Sequence, residues 1–546
     1  MVTRLHIAKR YIKTKRKCKM KNTDQQKPLI RERNSKGFAC FLMVGLLILP
    51  GVGLTAAPQS VSSEEVISAV DKVSPDIERI ANKLWEISEV SLLEVKSSDY
   101  LKEELKKAGF KITSEGTSGV PTAFVAEYGS GKPVLGIMLE YDALPELGNE
   151  AVPHKEPRKD GVTAGHGCGH NLIAAGAFGA ATAIKDLMEE EKIHGTVRVF
   201  GGAAEETEGA KVYMARDGLF EDVDALLHWH PLNYAAVFNI RTAAQSQMYI
   251  EFTGTTSHAG FTPWLGRSAL DGVELFLSGI NLMREHVRPT ARIHYIIKKG
   301  GVAPNIVPEE ASVVLTFRDE TRANVEEGVA WIKDIAKGAA IATQTKALAV
   351  DYYGMYDLLP NTPMAERMHK HLETVGLPEY TPEEIEFVKE LQKSAGIEPT
   401  GMAKEIMPIP DEPTTGGSTD VGDVSWQTPT MGVLMPSVPE NISMHSWMAT
   451  SSHGTSIGVK AAVGAAKVLA LTGIDLLVDH DFLAAAKEDF AKRTDGFKYK
   501  SPIDKLIKEP IGLPDDMRSH GSTLDLKHSF IKQAEDDDFY QKKFSE

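Results

Sequence analysis

The chain has 546 residues, 42% hydrophobic and 25% charged, with a formal net charge of −14. That is a globular composition with length for two or more domains. Met1–Lys36 holds 13 Lys/Arg against 2 Asp/Glu, and the chain after residue 57 carries a net charge of −25. A body that acidic argues against nucleic acid and against an anionic membrane surface as partners.

The basic start is followed by the uncharged stretch Gly37–Ala57, which ends in Thr55-Ala56-Ala57 before Pro58. This is the form of a secretory signal, so residues 1–57 are expected to direct export to the periplasm or the cell exterior. The n-region is long, and Met20 is an alternative start that leaves a more ordinary signal. The apolar run also approaches the ~20 residues of a spanning helix, so a membrane anchor is the competing reading. Pro50, Gly51 and Gly53 interrupt the run and favour cleavage. Of the cysteines Cys18, Cys40 and Cys168, only the last survives removal of the signal. A lone thiol in an exported chain needs a reason to be there, and metal ligation is one.

Glu64–Val90 reads as helix with a break near Ser74-Pro75, and Ser97–Ala108 as a second helix ending at Gly109. Ala123–Glu127 and Val134–Leu139 read as strands, the latter leading into Glu140-Tyr141-Asp142-Ala143-Leu144-Pro145. Leu172–Met188 has small and apolar residues at helical spacing. Thr196–Phe200 is a strand, followed by GGAAEETEGA, and Asp224–Leu227 is a short apolar run ending in His228-Trp229-His230-Pro231. Strands alternating with helices, with polar residues where strands end, indicate an α/β sheet with its site at the strand carboxyl ends. The pattern changes near Ala243. Met248–Thr253, Arg292–Lys298, Ala311–Arg318 and Leu348–Tyr353 read as strands, and Ser268–Glu285 and Asn324–Ala342 as helices. This order is a split βαβ unit. The expected division is a catalytic part at residues 60–242, an insertion at 243–353 and a second catalytic part at 354–510. A polar tail is expected at 511–546. Helices are expected at Met364–Val375 and Gly458–Leu471.

Cys168 and His170 lie in GHGCGHNL, in the N-terminal approach to the helix after Leu172. Backbone N–H groups and the dipole there favour a thiolate, and thiolate and imidazole both suit a borderline divalent ion. On its own the pair equally fits a buried thiol beside a satisfied histidine. Glu205-Glu206 follows an apolar strand, where one carboxylate can bind metal while its neighbour takes a proton. As a surface pair the two would simply be solvated. His228 and His230 are two apart, so on a strand they point the same way. His445 lies in Ser443-Met444-His445-Ser446.

GHGCGH, AAEETEGAK, ALLHWHP, TSHAG, GGVAPNIVPEEASVVLTFRDET and GGSTDVGDVSW occur in this order. Together they resemble the amidohydrolase branch of the aminoacylase/carboxypeptidase-like zinc metallopeptidases, over roughly Ser60 to Gly473 and on towards Pro510. The resemblance implies an α/β fold: a phosphorylase/hydrolase-like catalytic sheet with helices on both faces, and an inserted α+β ferredoxin-like lid and dimerisation domain. It implies Cys168, His170, Glu206, His230 and His445 as metal ligands, with His453 the alternative to His445. It makes Glu205 the general base and Asp142 an acid that supports the metal site from behind. On the insertion, His258 matches a residue that polarises the scissile carbonyl and comes from the neighbouring subunit in the family's dimers. Asn305 and Arg318 match substrate-binding positions, although Asn305 also fits a turn cap and Arg318 a surface ion pair. Many relatives have Asp where this chain has Asn171.

The cofactor implied is two divalent metal ions per subunit, zinc or manganese, with Cys168 leaning towards zinc. The implied reaction is hydrolysis of an N-acyl or N-aroyl amino acid, or of a dipeptide, near its free carboxylate. The implied assembly is a homodimer, or a pairing with a second related subunit. A dipeptidase or carboxypeptidase on the same scaffold, and a non-catalytic binding subunit, are the alternatives.

Overall fold

The computed structural model describes residues 61–504, 507–514 and 517, apart from residue 192. The expected signal and nearly all of the expected tail lie outside the described residues.

The strands are β1 (Lys111–Glu115), β2 (Phe124–Ser130), β3 (Val134–Leu139), β4 (Gly195–Gly201), β5 (Ala225–Leu232) and β6 (Ala236–Val237). They continue with β7 (Ala244–Thr253), β8 (Arg292–Lys299), β9 (Glu310–Asp319), β10 (Lys346–Met355) and β11 (Thr430–Pro436). Seven of them form one sheet in the order β1-β2-β4-β3-β5-β11-β6. Its centre, β4-β3-β5-β11, is parallel, and the outer pairings are antiparallel. β3 and β11 are buried along their whole length, as expected of strands covered on both faces. β11 has no counterpart in the sequence reading. Its run TMGVLMP lacks alternation and is bounded by prolines, so periodicity does not distinguish it from loop. β5 extends past the expected Leu227 to Leu232, which puts His228 and His230 inside the strand.

The helices are α1 (Ser63–Ile87), α2 (Val95–Lys107), α3 (His170–Glu191), α4 (Ala210–Arg216), α5 (Ala269–Met283) and α6 (Arg322–Thr343). They continue with α7 (Thr362–Val375), α8 (Pro382–Ser394), α9 (Val421–Ser425), α10 (Trp447–His453), α11 (Ser456–Val478) and α12 (His480–Thr494). The expected break at Pro75 is absent, and α1 runs through it. Pro75 cannot donate to the carbonyl of Asp71; the Ser74 hydroxyl donates to that carbonyl instead, at 2.9 Å. α1, α3 and α11 pack against one another, and α3 and α11 also pack on β3 and β5. α11 is apolar and long enough to span a membrane, but 78% of its most apolar window is buried in the protein. It is a core helix.

The second sheet has the order β10-β7-β9-β8, antiparallel throughout. With α5 and α6 between its strands, the order of elements is β-α-β-β-α-β, which is ferredoxin-like. Phe252, Phe276, Ile293 and Phe317 centre a hydrophobic cluster separate from that of the larger sheet. At the far end of the chain, the N–H groups of Ile511 and Gly512 donate to the Glu208 carboxylate at 2.9 and 2.7 Å. Leu513 is buried, so the first residues of the expected tail are packed on the body.

Candidate metal centre

Four parallel strands end on the same side of the larger sheet, and the polar residues of interest follow them. Asp142 comes after β3, Glu205 and Glu206 after β4, His230 near the end of β5, and His445 after β11. Cys168 and His170 arrive at the N-terminus of α3. Gly169 makes this approach close. Its φ is +79°, and a β-carbon would lie 2.6 Å from Pro231 Cγ and 2.9 Å from His453 Cε1.

The side chains converge in three overlapping groups whose ligand atoms lie within 4.8 Å of one another: Cys168/His170/His230, Cys168/Glu206/His445 and His170/Glu205/Glu206. Cys168 Sγ is 3.4 Å from His230 Nε2. Glu206 Oε1 is 3.3 Å from His445 Nε2 and 3.8 Å from His170 Nε2. His445 has a left-handed φ of 56°, and its N–H donates to the Gly167 carbonyl at 2.9 Å, which holds the loop over the thiol.

Hydrogen bonds fix which nitrogen of each ring faces the cluster. His170 Nδ1–H donates to Asp142 Oδ1 at 2.8 Å, and His230 Nδ1–H donates to the Pro231 carbonyl at 2.7 Å. Both Nε2 atoms therefore face inward. Asp142 Oδ2 accepts from the Ser91 hydroxyl at 2.7 Å and from the Glu206 N–H at 3.0 Å. Asp142 thus orients a histidine and a glutamate at once, the usual arrangement behind metal-binding histidines.

The electrostatics are those of a site built around positive charge. Burial and the carboxylates of Glu140 and Asp420 hold Glu205 well above the ordinary range of a glutamate. Burial also pushes the Cys168 thiol up, against the pull of His170. Burial thus opposes the thiolate expected at a helix start. Burial disfavours the His170 cation, but the Asp142 carboxylate beside it raises its pKa. His170 Nε2 and Glu206 Oε1 are buried without a hydrogen-bond partner. A soft sulfur, imidazole nitrogens and carboxylates with two orphaned atoms fit a divalent cation.

The two other histidines separate cleanly. His453 is fully buried; Nδ1–H donates to the His166 carbonyl at 2.7 Å, and Nε2 pairs with the Ser437 hydroxyl at 2.9 Å. Neither nitrogen is left for a ligand. His228 packs against the Phe238 ring and beneath Gly432, and burial lowers its pKa to about 4.

Three charged residues that motif reading did not single out complete the surroundings. Lys211 is fully buried, with Nζ 2.6 Å from Asp420 Oδ1 and 3.0 Å from Glu140 Oε1. Glu140 Oε2 in turn lies 3.7 Å from His170 Nε2. In sequence Glu140 lies just before Asp142, Lys211 ends AAEETEGAK and Asp420 lies in GGSTDVGDVSW, but nothing there pairs them.

The insertion residues sit apart from this cluster. His258 and Asn305 are on exposed adjoining loops, joined by an N–H···O bond from Ala259 to Asn305 at 3.0 Å. No hydrogen bond or ion pair links them to the Cys168 cluster among the described residues. His258 Nδ1 accepts from the N–H groups of Gly260 and Phe261 at 3.2 and 3.1 Å. A ring nitrogen that accepts carries no proton, so the N–H of His258 is on the outward Nε2. Arg318 is half-buried on β9, opposite Gln245 on β7. Its guanidinium makes no hydrogen bond or ion pair among the described residues, and burial lowers its pKa. The Gln245 side-chain oxygen is also buried without a partner.

Residues 136–449 match the model of peptidase family M20/M25/M40. The chain is 35% identical over 467 residues to a p-aminobenzoyl-glutamate hydrolase subunit of Escherichia coli, covering 80% of this chain and 97% of that protein. It is 25% identical over 453 residues to the Xaa-Arg dipeptidase of Mus musculus, covering 81% and 94%. Among solved structures, an aminohydrolase of methicillin-resistant Staphylococcus aureus matches with a TM-score of 0.54 at 19% identity, over 75% of this chain and 100% of that one. With the family model spanning more than half of its length, the chain belongs to peptidase family M20/M25/M40 and is a hydrolase of amide bonds.

Proposed function

We propose that the chain hydrolyses N-acyl or N-aroyl amino acids of the aminobenzoyl-glutamate kind, at the amide next to a free carboxylate. The observation that carries this is the convergence of Cys168, His170, Glu206, His230 and His445 around the carboxylate of Glu205. The 35% identity to a p-aminobenzoyl-glutamate hydrolase subunit supports the substrate class.

Two divalent ions, zinc or manganese, would be held by those five residues; when bound they polarise the amide carbonyl and acidify water. Glu205 takes the proton from the attacking water and returns it to the leaving nitrogen. Its raised pKa suits a group that must hold that proton between the two steps. His258 offers its Nε2–H to the oxygen on which negative charge develops. Arg318 pairs with the substrate carboxylate, a role supported by a guanidinium that has no partner among the described residues. Asn305, beside His258, contacts the acyl side.

His258 and Asn305 reach a site by dimerisation through residues 243–353, so that each site takes these two residues from the neighbouring chain. A related but different chain can fill the same place, since the E. coli relative is itself one subunit of a hydrolase. The protein acts outside the cytoplasm, a reading that rests on the form of residues 1–57. The similarity to an Xaa-Arg dipeptidase favours a second reading, in which the acyl group is itself an amino acid.

The test is amine release from a panel of N-aroyl, N-acetyl and dipeptide substrates, with and without a chelator. Turnover of N-aroyl amino acids that the chelator abolishes is expected. Turnover confined to dipeptides selects the second reading, and no turnover of any amide rejects both.

A further inference from the structure

We propose that Glu94 is a positioning residue for the general base: its carboxyl holds Ala204 in the left-handed turn that presents Glu205 and Glu206 to the metal-binding cluster. The inference rests on the reading of Glu205 as the base.

Ala204 has a φ of 58°, a conformation that its β-carbon disfavours. It immediately precedes the two glutamates, at the point where the chain leaves β4. Two buried carboxyls pin this turn from below. The N–H of Ala204 donates to Glu94 Oε1 at 2.8 Å, and the N–H of Glu206 donates to Asp142 Oδ2 at 3.0 Å. The backbone on each side of Glu205 is thus tied to an acid, with Glu205 between the two anchors.

Glu94 stands at the N-cap of α2, where a side chain usually accepts from its own helix. Here it makes no such bond. It is fully buried and reaches inward, its second oxygen paired with the Thr122 hydroxyl at 2.9 Å. Thr122 is fixed in turn, since its carbonyl accepts from the hydroxyls of Ser98 and Tyr141 at 2.7 and 2.6 Å. No cation pairs with Glu94 among the described residues. Burial and the nearby Asp142 carboxylate push its pKa up to about 8. Both oxygens accept, Oε1 from the Ala204 N–H and Oε2 from the Thr122 hydroxyl, and a carboxamide would keep the acceptor that faces Ala204. A carboxyl buried at this cost, and spent on one strained N–H beside the reacting glutamate, is explained by the geometry it enforces.

The experiment uses the metal-loaded full chain and measures kcat, KM, metal content and hydrogen exchange of the 203–207 backbone. Glu94→Ala is expected to lower kcat tenfold or more with KM and metal content little changed, and to speed exchange in that segment. Glu94→Gln keeps the acceptor and is expected to stay within threefold of the parent. Ala204→Gly removes the penalty of the left-handed turn, so Glu94→Ala/Ala204→Gly is expected to regain at least threefold in kcat over Glu94→Ala. Ala204→Val, with Glu94 intact, is expected to lose activity as Glu94→Ala does. Should Glu94→Ala fail to fold, Glu94→Gln and Ala204→Val carry the test. Parent-like kcat in Glu94→Ala or in Ala204→Val overturns the proposal, as does a second-site glycine that restores neither turnover nor exchange. An active Glu205→Gln protein instead overturns the assignment of the base, a separate result.

Discussion

Replacing Lys211 by Met removes the ammonium that two buried carboxylates share. Lys211, Glu140 and Asp420 are all buried, with ammonium–oxygen distances of 2.6 and 3.0 Å. Burial alone disfavours the ammonium, and the attraction of Asp420 and Glu140 overcomes it, so that its pKa is raised. Burial lifts the Asp420 carboxyl to about 6 even with the lysine beside it. Removing one partner of a buried pair typically costs about 3–5 kcal/mol. Two carboxylates share this cation, so the upper part of that range applies, a large fraction of the roughly 5–15 kcal/mol that holds a domain together. The cost depends on pH in a defined direction. Without the lysine both carboxyls have folded pKa values above their unfolded values of about 4. The folded state then binds more protons than the unfolded one, so the variant loses stability as pH rises from about 4 through the raised values. Urea unfolding of metal-free Lys211→Met and parent at pH 5 and pH 8 measures this. The expected gap between them is wider at pH 8, and Lys211→Met/Asp420→Asn should be more stable than Lys211→Met alone. A deficit under about 1 kcal/mol at pH 8 with no pH dependence would show that the pocket takes up water and that the ion pair contributes little.

Glu205→Gln should keep its metal and lose at least about a hundredfold in turnover, the scale of a general base; stopped amine-release assays with metal analysis check this. Cys168→Ala should lower metal content while circular dichroism stays unchanged, since the thiol makes no disulfide. Mixing inactive Glu205→Gln chains with inactive His258→Ala chains should restore activity, because a mixed dimer rebuilds one site with both residues intact; differently tagged chains verify exchange, and inactive mixed dimers reject the shared site. Burial lowers the pKa of His453 to about 4. Below about 6.5 the unfolded chain binds a proton that the folded chain refuses, so His453 costs stability as pH falls from 6.5 to 4, by at most about 3 kcal/mol. Unfolding of metal-free His453→Asn should show a shallower pH slope across that window.

Residues set off by their neighbours in sequence were legible as a group that converges. Cys168 and His170 sit in a glycine-rich helix start and Glu205-Glu206 follows an apolar strand, and the structure brings all four together. His230 and His228 could not be told apart by alternation, because both lie inside β5. Only the fold shows that one meets Cys168 while the other packs under Gly432. The thiolate expected of Cys168 follows from local helix geometry, and burial, a tertiary quantity, opposes it. The buried acids and base escaped notice for a related reason. Glu94, Glu140, Lys211 and Asp420 come from four distant segments, and each finds its partners far away in the sequence. Pro75 misled because a local rule was applied without the local remedy, the hydroxyl of Ser74. β11 was invisible because a strand covered on both faces carries no alternation.

The pairing of β5 with β11 sets an order of events during synthesis. β5 is complete at residue 232, but its neighbour in the sheet begins only at residue 430. A ribosome adding about 5–20 residues per second takes roughly ten to forty seconds to make the intervening stretch. During that interval β5 is an open edge bearing Trp229 and a run of apolar residues, the kind of strand that recruits other chains. The ferredoxin-like insertion is finished within the same interval and has a core of its own. His445, which follows β11, is the last of the metal-binding cluster to emerge. A ribosome that stops between residues 355 and 430 therefore releases a chain with a finished insertion, an unprotected sheet edge and a coordination sphere that lacks its final histidine.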